Sequence, residues 1–378
     1  MKFRCQVCGK AALGEIEEFR ALPRITSDCK PFPAGGRLAE CAECGATQKL
    51  PTPGWLAEIG RIYADYTPYH QAEGVEQIVL DSESGELRRR SEVIVSRLKA
   101  AGVLGEFGRA LDVGCGSGAT LKVLSREAPR WRLFGNELDD KNHGHLTAIP
   151  GFERLYTCPP AGIDGSFDLV TSIHSLEHFS DPHSVLEQLR PRLAPAGRLF
   201  VQLYNSAQNP FDLVIADHLM HFTPRTLARI VGRAGYEVVT VEADWVAKEI
   251  SLLARSGAGS TEFDGYPEMR GRVSTVRWLS SLIEQAAELA RSRRALGVFG
   301  TSIAATWLAG ALPGKVAFFI DEDPLRQNRE HMGARVFAPR DVPAGAPVLL
   351  ALVPQVAANV RKRLAPLGIE FVSPASLQ

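Results

Sequence analysis

Ala110-Leu111-Asp112-Val113-Gly114-Cys115-Gly116-Ser117-Gly118 is the stretch whose reading decides the fold. A short apolar strand, Arg109 to Val113, runs into a turn of alternating glycines and then into Ala119 to Glu127, which has the pattern of a helix. Glycines let a ligand approach the backbone at the carboxyl end of a strand, where open α/β sheets bind ligands. A dinucleotide site would want Gly-x-Gly-x-x-Gly, to seat a pyrophosphate on the helix N-terminus. Here the spacing is Gly-x-Gly-x-Gly, and Asp112 stands inside the strand end. A carboxylate there repels a pyrophosphate and suits a ligand carrying an ammonium group.

Outward from this turn, strands and helices alternate. Trp131 to Glu137, Asp168 to Ser172, Gly197 to Leu203 and Tyr236 to Val241 read as strands, and Asp181 to Leu193 as a helix. Thr223-Pro224 opens another helix with a hydroxyl cap and a proline at its first position, and Gly235 stops it. This alternation predicts an α/β domain built on a doubly wound, mostly parallel sheet. A helical pattern from about Gly85 to Ala101 precedes it, and Ser274 to Leu296 reads as a connecting helix. A second, smaller alternation follows: strands at Leu296 to Gly300, Lys315 to Asp321 and Pro347 to Val353, and helices at Ser302 to Gly310 and Gln355 to Leu364. The expected division is 1–75, 76–255, 256–295 and 296–378.

Composition bounds the possibilities. The 378 residues carry 43 Lys plus Arg against 43 Asp plus Glu, a formal charge of zero that offers no overall attraction to nucleic acid or anionic lipid. The 45% hydrophobic and 23% charged residues exclude disordered and collagenous classes. No apolar run exceeds strand length, against the roughly 20 residues that a bilayer core demands. The opening Met-Lys-Phe-Arg-Cys lacks a signal-peptide core, so a cytoplasmic location is expected.

Five of the seven cysteines lie within the first 44 residues, four of them in two Cys-x-x-Cys-Gly knuckles: Cys5, Cys8, Cys41 and Cys44. Each spacing lets two sulfurs reach one tetrahedral zinc at about 2.3 Å, and four thiolates close the site, which makes it structural. The alternative is a redox dithiol, but that uses a single pair beside a strand. Cys29 is a possible substitute ligand. The segment between the knuckles is rich in proline and glycine and too short to bury much core, so a metal staple is expected. An aromatic stretch follows, with Trp55, Tyr63, Tyr66, Tyr69 and His70.

Taken together, the Asp112 turn, Phe134-Gly135-Asn136-Glu137, Phe167-Asp168-Leu169-Val170 and Leu193-Ala194-Pro195-Ala196-Gly197 resemble class I S-adenosylmethionine-dependent methyltransferases over about residues 85 to 250. The resemblance implies a Rossmann-like fold. It also implies that Asp112 and the loop of Gly114, Cys115, Gly116 and Gly118 hold the methionine part of S-adenosylmethionine, and that Glu137 accepts from the two ribose hydroxyls. No residue is assigned to the adenine.

Seven of the nine histidines fall between residues 143 and 221. His174 and His178 follow the fourth strand, and Asp217-His218-Leu219-Met220-His221 precedes the Thr223 helix. Histidine is the side chain best suited to take a proton at neutral pH, and a neighbouring carboxylate can orient it. His218, oriented by Asp217, and His178 are the expected acid/base groups, with His221 behind them. The bland reading is that these residues only pack or orient a substrate loop. A metal-ligand role for His218 and His221 lacks a third ligand by spacing.

The whole order of parts resembles the zinc-containing sugar C-methyltransferases of deoxysugar biosynthesis. That resemblance implies substrate roles for Tyr69, His178, Asp217 and His218, and a nucleotide-linked sugar as the partner small molecule. The expected reaction is C-methylation through a base-generated enolate. The alternatives are O-methylation of a sugar or other metabolite, an rRNA methyltransferase, which the charge balance disfavours, and a cofactor-binding scaffold without turnover.

Overall fold

The computed structural model describes residues 3–67, 76, 78–81, 86–260, 263, 265–293, 295–343 and 345–376. Leu13–Ile16 (β1), Leu38–Cys41 (β2) and Thr47–Lys49 (β3) form an antiparallel sheet between and beside the two knuckles. The stretch after it begins as a helix, Pro53–Ala64 (α1), not as the aromatic linker expected. Its start was written in Thr52-Pro53: the Thr52 hydroxyl accepts from the Trp55 amide at 3.1 Å, and proline occupies the first turn. Trp55 and Ile62 are buried, and the Trp55 indole N–H donates to the Ala216 carbonyl at 3.0 Å.

The helix expected from Gly85 begins at Arg90 (α2, Arg90–Ala100), because Leu87–Arg89 pairs with Ile78–Leu80 as a hairpin. Then come Gly108–Val113 (β4), Ala119–Glu127 (α3), Trp131–Asn136 (β5), Phe152–Tyr156 (β6), Phe167–Ile173 (β7), Pro182–Leu189 (α4) and Leu193–Tyr204 (β8). Met220–His221 (β9), Pro224–Arg233 (α5), Tyr236–Glu242 (β10) and Glu249–Ser256 (β11) complete this part. The sheet has the order β6-β5-β4-β7-β8-β11-β10. It is mixed: β11 runs against both its neighbours, and the remaining pairings are parallel. Strand β9 lies outside it, pairing Met220 with Gln48 and His221 with Thr47 of β3. One strand of the four-cysteine module's sheet is therefore supplied by the α/β domain.

Arg272–Ser292 (α6) leads to a six-stranded sheet. Its elements are Gly297–Phe299 (β12), Ile303–Ala311 (α7), Phe318–Ile320 (β13), Glu330–His331 (β14), Ala334–Phe337 (β15), Val348–Leu349 (β16), Pro354–Leu364 (α8) and Phe371–Val372 (β17). The order is β14-β15-β13-β12-β16-β17, so the winding reverses between β12 and β16, the point where such sheets open a crevice. Phe19, Leu22, Leu38, Leu279, Leu282 and Trp307 share one apolar core that joins the N-terminal module, α6 and this last sheet. The Trp307 indole N–H donates to the Pro23 carbonyl at 2.7 Å across the same junction. Among the described residues no helix is long and apolar enough to cross a membrane.

Candidate functional site

The glycine turn leaves β4 at the carboxyl edge of the sheet. Gly114, Gly116 and Gly118 have φ of 75°, 52° and 79°, left-handed values that side chains disfavour. At Gly114 a Cβ would lie 2.4 Å from the Ser175 Cβ, so the loop could not approach the β7 edge with any other residue there. Asp112 is buried, and its Oδ1 accepts from the Thr171 hydroxyl at 2.6 Å. Burial, only partly offset by that bond and reinforced by Glu137, pushes its pKa up to about 7. Glu137, at the end of β5, accepts from the amides of Gly116 and Leu138, and burial raises its pKa as well. Among the described residues neither carboxylate has a basic ion-pair partner, and both line one cavity with Gly114, Cys115 and Gly116. Two desolvated acids without an ion-pair partner fit a cationic ligand, and vicinal hydroxyls could replace the loop amides on Glu137. Asp112, the loop and Glu137 are thus a fitting cradle for S-adenosylmethionine. Thr157, Cys158 and Pro159, after β6, line the same cavity; they went unassigned because β6 itself was not read in the sequence.

The cavity, about 990 Å³, continues past the loop to His174, His178 and His218 and ends against Ser302, Ile303, Arg326 and Leu352, which flank the C-terminal sheet. His218 is not oriented by its neighbour Asp217. Its Nδ1 meets Oδ1 of Asp212 at 2.7 Å, while Oδ2 of that carboxylate takes Nδ1 of His221 at 2.9 Å. Asp217 turns the other way, accepting from the Ser27 hydroxyl and amide and lying 3.2 Å from Nδ1 of His178. The chain turns at Ala216 and Asp217, which sends the two neighbouring side chains to different partners, so the acid beside a histidine in sequence was the wrong one. Asp212 lies in a short 3-10 turn, Pro210–Val214, and carried no motif.

Asp212 also supplies the third group that spacing did not show for a metal at His218 and His221. The ligand atoms are already hydrogen-bonded to one another, as a buried chain from His218 through Asp212 to His221.

Tyr69 and His70 lie outside the described residues. Among the described residues, the tyrosine brought to His178 is Tyr63, whose hydroxyl is 3.0 Å from Nδ1. Helical spacing on α1, unread in the sequence, is what presents it. Burial opposes protonation of His178, but Asp217 and Glu177 outweigh it and raise its pKa. Glu177 is buried between the histidines, with His174 Nδ1 at 3.5 Å, and His174 reaches Glu249 at 3.2 Å and is itself pushed up to about 9, against its burial, chiefly by Glu249. His174 has φ 48°, an uncommon backbone value for a residue with a side chain.

Cys5, Cys8, Cys41 and Cys44 bring their sulfurs within 4.8 Å of one another, with Cys5 to Cys44 and Cys8 to Cys41 both 3.6 Å. Tetrahedral zinc with 2.3 Å bonds sets sulfurs about 3.8 Å apart, so the donor set fits that ion. The two knuckles repeat one turn, Gly9 donating to Cys5 and Gly45 to Cys41. Cys29 is not among the four; its thiol lies against the Thr306 hydroxyl at 3.3 Å.

Residues 86–241 match the family model of a methyltransferase domain. Strand order, loop and match together define a class I S-adenosylmethionine-dependent methyltransferase domain within this chain. The ubiquinone biosynthesis O-methyltransferase of Aeromonas salmonicida is 29% identical over 135 residues, 34% of this chain and 56% of that protein. Its counterpart in Marinobacter nauticus is 30% identical over 131 residues, 31% of this chain and 53% of that one. The chain thus spans about half the length of the curated relatives it matches. Among solved structures, the 1,6-didemethyltoxoflavin-N1-methyltransferase of Burkholderia thailandensis aligns over 63% of this chain and 100% of its own, at 19% identity and a TM-score of 0.41.

Proposed function

We propose that this protein methylates a small molecule with S-adenosylmethionine, that His218 is the general base, and that the acceptor is a nucleotide-linked sugar methylated at carbon. The observation that carries the reading is the single cavity joining the Asp112–Glu137 cradle to His218 and His178 and running on to the crevice of the C-terminal sheet. Such length suits an acceptor with a reacting end beside the histidines and a bulky handle beyond them. Bound in the cradle, the cofactor supplies an electrophilic methyl group on a sulfonium. Nδ1 of His218 is committed to Asp212, so Nε2 is the nitrogen left to take a proton. Removing a proton from carbon next to a carbonyl also requires donors for the enolate oxygen, and His178, held between Asp217 and Tyr63, is placed for that role.

O-methylation is the second reading, favoured by the names of the relatives, which are O-methyltransferases. It needs only a hydroxyl deprotonated by the same base. The four cysteines serve in this proposal as a structural zinc site, and the protein works in the cytoplasm.

Incubating the protein with S-adenosylhomocysteine and nucleotide-linked keto-sugars in D₂O separates the readings. C-methylation predicts deuterium entering the carbon next to the carbonyl without turnover. No exchange, with methylation of hydroxyl acceptors instead, selects the O-methylation reading. His218→Gln is expected to abolish turnover, and wild-type rates in that variant would remove His218 as base.

A further inference from the structure

Lys49, on β3 of the four-cysteine module, is 0% exposed and lies outside the cavity wall. Its amino group meets three acceptors: the carbonyls of Leu213 at 2.8 Å and Ile215 at 3.0 Å, and Nε2 of His221 at 2.9 Å. An ammonium has three N–H donors and accepts nothing, so Nε2 of His221 is the bare nitrogen and its proton sits on Nδ1. That proton goes to Oδ2 of Asp212, whose Oδ1 takes the proton on Nδ1 of His218. In the neutral ring of His218 the bare nitrogen is then Nε2.

A neutral amine in the same place breaks the sequence. Its two N–H groups would go to the two carbonyls, and its lone pair would require a proton on Nε2 of His221. The bare Nδ1 of that ring would then confront the Asp212 carboxylate, two acceptors face to face. With a neutral imidazole at His221, only the ammonium satisfies every contact.

We propose that Lys49 is a positioning residue for the site, fixing the tautomer and lowering the basicity of His218 through His221 and Asp212. The proposal rests on the reading of His218 as base. The charged groups facing Lys49 are His221, Asp212, Asp217, Glu58 and Arg24. Those facing His218 are Asp212, His178, His221, Glu177, Asp217 and the Tyr204 ring. Burial brings the Lys49 pKa down to about 7, against the pull of Asp212, so its ammonium form predominates below neutrality. Burial and Lys49 together lower His221 to about 3, leaving it neutral.

The test reads the rings directly, by ¹⁵N NMR of histidine-labelled protein saturated with S-adenosylhomocysteine. In the wild type at pH 6.5, His221 and His218 should both carry their proton on Nδ1. In Lys49→Met, loss of the buried cation beside Asp212 should raise the His218 titration midpoint by about one pH unit, while zinc content and S-adenosylhomocysteine affinity stay at wild-type values. A proton on Nε2 of His221 in the wild type overturns the relay, and so does an unmoved His218 midpoint in a folded Lys49→Met. The wild-type measurement decides the tautomer question even if the variant fails to fold. Loss of turnover in His218→Gln together with either overturning result would leave the base in place and remove only the role of Lys49.

Discussion

Asp212→Asn tests the centre of the relay. The carboxylate is about 2% exposed and accepts two charge-assisted bonds, from His218 at 2.7 Å and His221 at 2.9 Å. Removing its charge leaves the buried Lys49 ammonium uncompensated, a loss of about 3–5 kcal/mol. Asparagine keeps the shape but offers one oxygen and one NH₂, so one imidazole must face a donor and move its proton to Nε2. If that ring is His218, the base is lost, and kcat should fall by about 10³- to 10⁴-fold, as when a triad aspartate becomes an amide.

The deficit in stability should depend on pH in one direction. Burial alone would raise the Asp212 pKa, but His221 and His218 reverse this and hold it well below the ordinary carboxylate range. A depressed folded-state pKa stabilises above the unfolded value, about 3.9, and that stabilisation is lost as pH falls toward the folded value, at about 1.4 kcal/mol per unit. Urea unfolding of wild type and variant at pH 7.5, 5 and 3.5 should give a gap of about 3–5 kcal/mol at the two higher values and a smaller one at the lowest. A gap under about 1 kcal/mol at pH 7.5 would refute the network.

Gly114→Ala should reduce S-adenosylhomocysteine affinity at least about tenfold by calorimetry, since φ is 75° and the new methyl meets Ser175 at 2.4 Å; Gly116→Ala, with nothing within 4 Å, should do less. Equal effects would mean that the loop does not depend on its approach to β7. Glu137→Gln should weaken the same ligand about tenfold while leaving turnover at saturating cofactor nearly unchanged, and a reversed pattern in kcat and KM would displace it from the ribose role. Elemental analysis should find one zinc per chain, with Cys8→Ser lowering that stoichiometry and the melting temperature together; a metal-free protein of full stability would end the zinc reading.

The central sheet was legible because Gly-x-Gly-x-Gly after an apolar strand has few other uses, and because Thr223-Pro224 and Gly235 punctuate a helix by simple steric rules. The parts that escaped have identifiable causes. Strand β11 carries Glu249 and Ser251 buried beside apolar residues, so neither alternation nor a plain hydrophobic run marks it. Strand β9 is two residues long and pairs with a partner far back in the chain, beyond any local window. The site divides similarly. His178, His218, Asp112 and Glu137 came from motifs, and the structure places all four on one cavity. Tyr63 lines the cavity, and Asp212 and Lys49 stand behind its wall, only through tertiary folding, and pairing His218 with its sequence neighbour Asp217 mistook adjacency for contact.

The strand that Met220 and His221 lend to the four-cysteine module has a bearing on synthesis. The module's own residues leave the ribosome first, yet the edge beyond Thr47 and Gln48 stays open until residue 221 emerges, about 10 to 30 s later at ordinary elongation rates. During that interval an unpaired edge and an uncapped Lys49 are exposed to other nascent chains. The sulfur cluster, complete by Cys44, is the element already available to hold the module in shape while it waits.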